Sequence, residues 1–218
     1  MKSNHIVWRA RFAALAALAL TLLGGCSSLL PPAPPPDNIY LLEARMSAIP
    51  SLASAPGNAR SKRDLMLAVS TPRARAGYDT AQMIWVRQAH RLEVYSRNRW
   101  ADTPARMLAP LVAQALEQSE AFHAIVQAPS VASATLRLDT ELIRLQQDFS
   151  VKPSRVQFTL SAQLIDTGTR RVVASAEFDE SENAPSEDAY GGVLAANRAL
   201  ERLLARLVTF CAERAPSP

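Results

Sequence analysis

The sequence predicts an α+β fold in which one antiparallel or mixed sheet carries two main helices on one face, as a two-layer sandwich. Three observations predict it. Apolar and polar residues alternate strictly over 155–164, as in a half-buried strand. Two stretches, 103–116 and 186–211, instead repeat apolar residues at helical spacing. The 218 residues also provide enough chain for a core without disulfides or metal ions.

Four strands are expected before the first helix. They cover 39–44, 65–70, 83–87 and 91–95. The last two flank the tripeptide Gln88-Ala89-His90 and predict a hairpin.

The first helix has a recognisable start. Thr103 suits the N-cap position and Pro104 suits the first helical turn, where its missing N–H costs nothing. Pro110 lies inside the apolar pattern and should kink the helix or delay its start.

Three further strands are expected to form an antiparallel meander with one face exposed to solvent. The first changes phase around Leu142, which predicts a bulge. The second is the alternating stretch 155–164, and Asp166 to Thr169 supplies the turn after it. The third places Val172, Ala174, Ala176 and Phe178 on one face.

The last helix is expected to begin near Ser186, with Glu187 and Asp188 in its first turn, where the helix dipole favours negative charge. One face carries Tyr190, Val193, Leu194, Asn197, Leu200, Leu204, Leu207, Val208 and Cys211. This placement favours a buried, inert Cys211 over a reactive thiol or one that pairs between chains.

Residues 1–25 have the features of a secretory signal peptide. Basic residues precede a 12-residue apolar run from Phe12 to Leu23, which is too short for a comfortable membrane span. The run ends in Leu23-Gly24-Gly25-Cys26, which resembles the lipobox of bacterial lipoproteins. The alternative is an ordinary signal peptide that contains a cysteine.

The lipobox resemblance implies a lipid, such as palmitate, on Cys26 and no other cofactor. Ser27 follows, where lipoproteins retained at the inner membrane usually have Asp, so the outer membrane with a periplasmic domain is expected and the inner membrane is the alternative. Residues 26–38 form a tether with five prolines, which favours a polyproline II spacer of roughly 35–40 Å. The periplasmic domain then covers 39–214, and 215–218 form a C-terminal tail.

The basic character of the sequence belongs mostly to the targeting segment. The whole chain has a formal charge of +4, but three of its basic residues and none of its acidic residues precede Cys26. The remaining 21 basic and 20 acidic residues nearly cancel. Export and this balance argue against a nucleic-acid partner.

The residue types offer little catalytic chemistry. His90 and His123 are far apart in the sequence and have no neighbouring cysteines, so a metal site is not expected. Nucleotide-binding and serine-hydrolase motifs are absent from the sequence. An acidic run between Asp179 and Asp188 could supply paired carboxylates, although a solvated loop and helix start is favoured.

Basic and aromatic residues cluster around the predicted hairpin. Such residues are typical anchors of protein interfaces, so the cluster is a candidate docking surface for an acidic partner. The alternative is a solvated hairpin with Trp100 in the core. The candidate residues are Trp85, Arg87, Arg91, Arg97, Arg99 and Trp100.

Four stretches of the chain resemble one protein family. They are Tyr40-Leu41-Leu42, the hairpin with Arg99-Trp100-Ala101-Asp102, the strand 138–149 with its Q-x-D-F end, and 172–178 before an Ala-rich helix. Their order is similar to that of the ABC-type transport auxiliary lipoprotein family, which includes the paraquat-inducible protein C type. Thr103-Pro104 stands where the family commonly has Pro-Leu.

The resemblance implies a non-enzymatic role beside an ABC transporter and a mammalian-cell-entry-domain protein. Such systems move lipids or other hydrophobic compounds between the two membranes, and the lipoprotein docks the periplasmic component at the outer membrane. A periplasmic lipid-binding shuttle or chaperone is the second hypothesis, and a cell-envelope hydrolase is the third. The sequence leaves the oligomeric state and the transported compound open.

Overall fold

A computed structural model describes residues 35–52, 63–127 and 133–216, which form one mixed sheet of nine strands and two α-helices. The helices are α1 (Pro104–Gln118) and α2 (Ala189–Arg214). The strands are β1 (Asn38–Tyr40), β2 (Arg63–Val69), β3 (Arg73–Ala74), β4 (Gln82–Val86), β5 (Glu93–Trp100), β6 (Phe122–Gln127), β7 (Leu136–Asp148), β8 (Arg155–Asp166) and β9 (Arg171–Asn183).

Strand β7 lies in the middle of the sheet and joins its two halves. One edge pairs antiparallel with β8, which pairs antiparallel with β9, so the predicted meander is confirmed. The other edge pairs in parallel with three short strands in succession, β2, β3 and β4. Beyond them, β6 adds in parallel to β2, β5 adds antiparallel to β4, and β1 adds in parallel to β5.

The core lies between the sheet and the helices, which also pack against each other. On β8, the alternating residues Val156, Phe158 and Leu160 are at most 2% exposed. Burial of each such side chain stabilises the folded state by roughly 1.5–3 kcal/mol. The α+β fold with a sheet and two helices is therefore confirmed. The predicted bulge is also confirmed, because the register between β7 and β8 shifts between Leu142 and Arg144.

The first strand ends at Tyr40, so the prediction that it continues to Ala44 is wrong. The chain leaves the sheet because side chains of α2 accept its next backbone N–H groups. Asn197 Oδ1 accepts from Glu43 N–H at 3.1 Å, and Glu201 Oε1 accepts from Arg45 N–H at 3.1 Å. We call residues 41–52 the strap, since they cross α2 before the chain returns to the sheet.

Both helix starts differ from expectation in detail. Thr103 is the N-cap of α1, as predicted, but its side chain makes no capping hydrogen bond, and Pro110 does not delay the helix. Helix α2 starts at Ala189, three residues later than predicted, because Asp188 is its N-cap and accepts from Gly191 N–H at 2.7 Å. Tyr190 is 55% exposed and does not join the buried face of α2.

Two strands, β3 and β6, are not among those predicted, and β5 differs from the predicted strand in its bounds. β5 begins at Glu93 rather than Arg91 and continues to Trp100 rather than Tyr95. The hairpin of β4 and β5 itself is confirmed by their antiparallel pairing.

The acidic run does not form a solvated loop over its first half, because Asp179, Glu180 and Glu182 belong to β9. Arginines of α2 form ion pairs with these carboxylates of β9. Arg202 reaches Glu180 at 3.0 Å and Glu182 at 2.9 Å. One helical turn before and after Arg202, Arg198 forms an ion pair with Glu182 and Arg206 forms an ion pair with Glu180. These contacts fix α2 over β9 and argue against an acid–base role for the run.

Cys211 is fully buried in α2, as the sequence predicts. Burial raises the pKa of its thiol to about 12. Because the thiolate is the reactive form, this cysteine is chemically inert in the folded chain.

The strap should make the stability of the domain depend on pH. Hydrogen bonds from Arg45 hold the pKa of Glu201 below its ordinary value, so the charged carboxylate stabilises the fold above that ordinary value and loses this effect as the pH falls through the folded pKa. We expect Glu201→Gln to lower the free energy of unfolding at pH 7, and the difference from the natural chain to shrink in acid. Urea unfolding of residues 37–218 from pH 7 to pH 3 measures this, and a difference that is independent of pH would contradict it.

Candidate docking surface

Strand pairing brings three aromatic rings together at one end of the sheet. β4 and β7 run in parallel and end side by side, with Trp85 opposite Gln147, and Phe149 N–H donates to the carbonyl of Val86 at 2.8 Å. The Trp85 ring therefore meets Phe149 edge-on at 6.0 Å and Tyr95 of β5 at 6.2 Å between ring centres. We call Trp85, Tyr95 and Phe149 the aromatic cluster.

Arg87 covers this cluster from the solvent side. Its guanidinium carbon lies 4.5 Å from the centre of the Trp85 ring, in a cation–π contact. Trp85 is half-buried and Arg87 is exposed. The contact holds a planar, charged group at the surface with less conformational freedom than an isolated arginine, which suits it to a partner's carboxylates.

Buried hydrogen bonds support the aromatic cluster from below. The Tyr95 hydroxyl donates to Gln147 Oε1 at 2.9 Å, and Gln147 Nε2 donates to Ser154 Oγ at 3.0 Å. Ser154 N–H in turn donates to Glu187 Oε1 at 2.8 Å. Burial raises the pKa of Tyr95, and the charges of Asp188 and Glu187 raise it further, so this hydroxyl stays protonated. The chain of bonds ties β5, β7 and the segment before α2 into one support.

The structure divides the predicted docking residues into two groups. Trp85 and Arg87 lie together beside the hairpin turn that carries Arg91, whereas Arg99 is at the opposite end of β5, paired in register with Gln82 and Ile39. Arg97 is exposed two residues before Arg99. Trp100 is 4% exposed and belongs to the core, so its side chain does not contribute to a surface.

The exposed arginines are weakly paired. The side chain of Arg91 lies 3.9 Å from Glu93, and that of Arg99 lies 3.8 Å from Asp37. Exposed ion pairs of this length contribute little to stability, so both guanidinium groups remain available to a partner. Lys152, in the turn that follows Phe149, adds another exposed basic residue at the hairpin end.

The polar groups beneath the aromatic cluster line a small cavity. A cavity of about 20 Å³ lies between Tyr95, Trp100, Gln147 and Gly192, which is room for about one water molecule and not for an acyl chain. Over the residues that the structure describes, no three metal-ligating side chains converge. His90, in the hairpin turn, and His123, on β6, are both exposed.

The sequence predicted Trp85 and Arg87 as docking residues but indicated no role in docking for Phe149 or Gln147. Gln147 lies in the Q-x-D-F stretch at the end of β7 and Phe149 directly follows that strand, and only the parallel pairing of β4 with β7 brings both residues to Trp85. Cys26 and the lipobox residues Leu23, Gly24, Gly25 and Ser27 lie outside the described residues, as do most of the tether and the whole predicted signal peptide. In the described part of the chain, no helix is both long and apolar enough to cross a membrane.

The family model for the ABC-type transport auxiliary lipoprotein component matches residues 47–208, which is most of the chain. The chain belongs to this family. The match confirms the resemblance inferred from the hairpin, the Arg99-Trp100-Ala101-Asp102 element and β7. It gives the protein the role of an auxiliary lipoprotein in ABC-type transport, and this is not a known enzyme family.

Solved structures confirm the fold. Protein XCC0632 from Xanthomonas campestris is 22% identical, with a TM-score of 0.71 over 81% of this chain and 95% of that one. An uncharacterized protein is 12% identical, with a TM-score of 0.58 over 84% of this chain and 100% of that one. Hypothetical protein CT253 from Chlamydia trachomatis is 9% identical, with a TM-score of 0.50 over 70% and 98%. No curated protein matches the chain.

The start of α2 is held against the support of the aromatic cluster by two glycines. A Cβ on Gly192 would overlap the Gln147 side-chain amide, and one on Gly191 would overlap the backbone carbonyl of Ser186. The Gly191-Gly192 pair is therefore needed for close packing at the start of α2.

Gly191→Ala tests this packing, because helix propensity and packing predict opposite signs. Within a helix, alanine is more stabilising than glycine by about 1 kcal/mol, whereas overpacking lowers the stability of the fold by roughly 1–3 kcal/mol. Since the nearest obstructing atom is the backbone carbonyl oxygen of Ser186, we expect a net loss of stability in thermal unfolding. Gly168→Ala is the matched control, because its Cβ would meet only ordinary contact at 3.5 Å. A more stable Gly191→Ala chain would contradict the packing argument.

Proposed function

We propose that the protein is an outer-membrane lipoprotein, anchored through Cys26, which docks the periplasmic mammalian-cell-entry-domain protein of an ABC-type system that transports lipids or other hydrophobic compounds. It acts by anchoring and by protein contact. The family match supports the transport role, and the lipobox and Ser27 support the anchor and the outer membrane. The observation that carries the docking role is the exposed Arg87 held over Trp85.

The chemistry of the hairpin end favours an acidic partner surface. Arg87, Arg91 and Lys152 are exposed there, and Arg87 lies against the Trp85 ring of the aromatic cluster. Arginine and tryptophan dominate the energetics of many protein interfaces, especially where an aromatic group is already packed from below. The partner is thus expected to present carboxylates around an apolar contact for Trp85.

The anchor can be tested with labelled palmitate. The natural chain should incorporate the label and sediment with membranes, and Cys26→Ala should lose both properties because the acceptor thiol is gone. Cys211→Ala is the control and should keep the label, since Cys211 is buried in the folded domain. Label that persists in Cys26→Ala would overturn the assignment of the anchor, and density separation of the two membranes reports the location.

The docking surface can be tested by charge reversal. The natural chain, used as bait, should recover a mammalian-cell-entry-domain protein from envelope extracts. Arg87→Glu/Arg91→Glu should bind it roughly 30-fold more weakly, because it loses the cation–π contact and repels carboxylates. Failure of the natural chain to recover that protein would count against the proposed partner.

A matched control separates the surface from the overall charge. Arg106→Glu/Arg170→Glu makes the same change in net charge at residues on α1 and in the turn before β9, both exposed. Its affinity for the mammalian-cell-entry-domain protein should remain within a few-fold of that of the natural chain. Equal losses for the two double variants would show that binding depends on net charge rather than on the hairpin end.

A further inference from the structure

Two adjacent glutamines of β7 accept hydrogen bonds from tyrosine hydroxyls on opposite faces of the sheet. The Tyr95 hydroxyl donates to Gln147 Oε1 on the face where Gly192 of α2 packs. The Tyr78 hydroxyl donates to Gln146 Oε1. Successive residues of a strand point to opposite faces, so the two pairs are separated by the sheet. Of these two pairs, the one with Gln147 lies beneath the aromatic cluster.

The side-chain amide of Gln147 is bonded at both ends. Its Oε1 accepts from the Tyr95 hydroxyl at 2.9 Å, and its Nε2 donates to Ser154 Oγ at 3.0 Å. Gln147 is 3% exposed, and Gly192 lies so close to the amide that a Cβ would not fit between them. A buried polar group with all its bonds made is held rigidly, so Gln147 also fixes the hydroxyl that donates to it.

Packing alone does not hold the Tyr95 ring in place. The ring is half-buried, and the cavity with room for about one water molecule lies beside it. Because there is free space on one side, the ring can turn when its hydroxyl is released. The bond to Gln147 is therefore the constraint that keeps Tyr95 against Trp85, at 6.2 Å between ring centres.

The exposed part of the docking surface rests on this ring. Trp85 stands opposite Gln147 in the parallel pairing of β4 with β7, and its ring contacts Tyr95 and Phe149. Arg87 lies over the Trp85 ring. The position of the exposed guanidinium group thus depends on successive contacts that begin at a buried amide.

We propose that Gln147 is a positioning residue of the docking surface, which sets the Trp85 ring and Arg87 through the hydroxyl of Tyr95. The inference rests on the proposed docking function and adds the interior residue that controls the affinity of that surface. Since Gln147 is buried, its effect on a partner passes through Tyr95. Gln146 makes the same type of bond on the other face and should have no such effect.

The affinity of the full chain for the mammalian-cell-entry-domain protein tests this role. Gln147→Met keeps the length of the side chain and removes both hydrogen bonds, and Tyr95→Phe removes the shared bond alone. Each variant should bind roughly five- to tenfold more weakly, because the partner must restore the order that one hydrogen bond supplied. The double variant should bind no more weakly than Gln147→Met, since both changes act through the same bond.

Gln146→Met and Tyr78→Phe are the matched controls, because they break the same type of bond in the same strand. They should lower the thermal stability and leave the affinity unchanged. Equal losses of affinity in the two sets would show a general effect of stability and would overturn the positioning role. An affinity of Gln147→Met equal to that of the natural chain would also overturn it, and Tyr95→Phe decides the question where Gln147→Met does not accumulate.

A measurement without the partner separates this inference from the proposed function. Iodide quenches exposed tryptophan, and the chain after Cys26 contains Trp85, which is half-buried, and Trp100, which is 4% exposed. Quenching therefore reports on Trp85 and should rise in both variants of the Tyr95–Gln147 pair but not in the two controls. If the natural chain binds no mammalian-cell-entry-domain protein, the proposed function fails, and this rise still supports the positioning role. Equal quenching in all four single variants overturns it.

Discussion

Backbone hydrogen bonds along both edges of β7 join the two halves of the sheet. On one side, β8 pairs with β7 over its whole length. On the other side, three short strands pair in turn at 136–138, 141–142 and 147–148, so the chain from β2 to β4 follows β7 in parallel with two interruptions. Because buried N–H and C=O groups must be paired, β7 fixes where each of these strands can lie. The remaining strands reach β7 through one of these partners.

The docking surface is a consequence of this arrangement. β4 takes the last segment of β7, so Trp85 stands opposite Gln147 and beside Phe149. Gln147 is 3% exposed and makes hydrogen bonds to both Tyr95 and Ser154, which satisfies its buried amide. A surface tryptophan with such support is pre-organised, and pre-organised groups lose less conformational entropy on binding.

Local patterns predicted those parts of the fold that depend on local causes. The alternation over 155–164 predicted β8, because one face of that strand is buried along its whole length. The end of β1 could not be predicted, because Tyr40 is followed by apolar residues and the strand is ended by Asn197 and Glu201, more than 150 residues away. The placement of acidic residues in β9 likewise depends on arginines of α2 that follow about 20 residues later.

The candidate site was predictable in composition but not in geometry. The hairpin and its arginines were recognisable from the sequence. Arg99 lies far from Arg87 because the two residues are at opposite ends of the hairpin. The register between β4 and β5 is also irregular, since Ile84 pairs with Val94 and Gln82 already pairs with Arg99. This irregularity changes which side chains at the end of β5 face the core, where Trp100 is buried, and no local pattern in the sequence signals it.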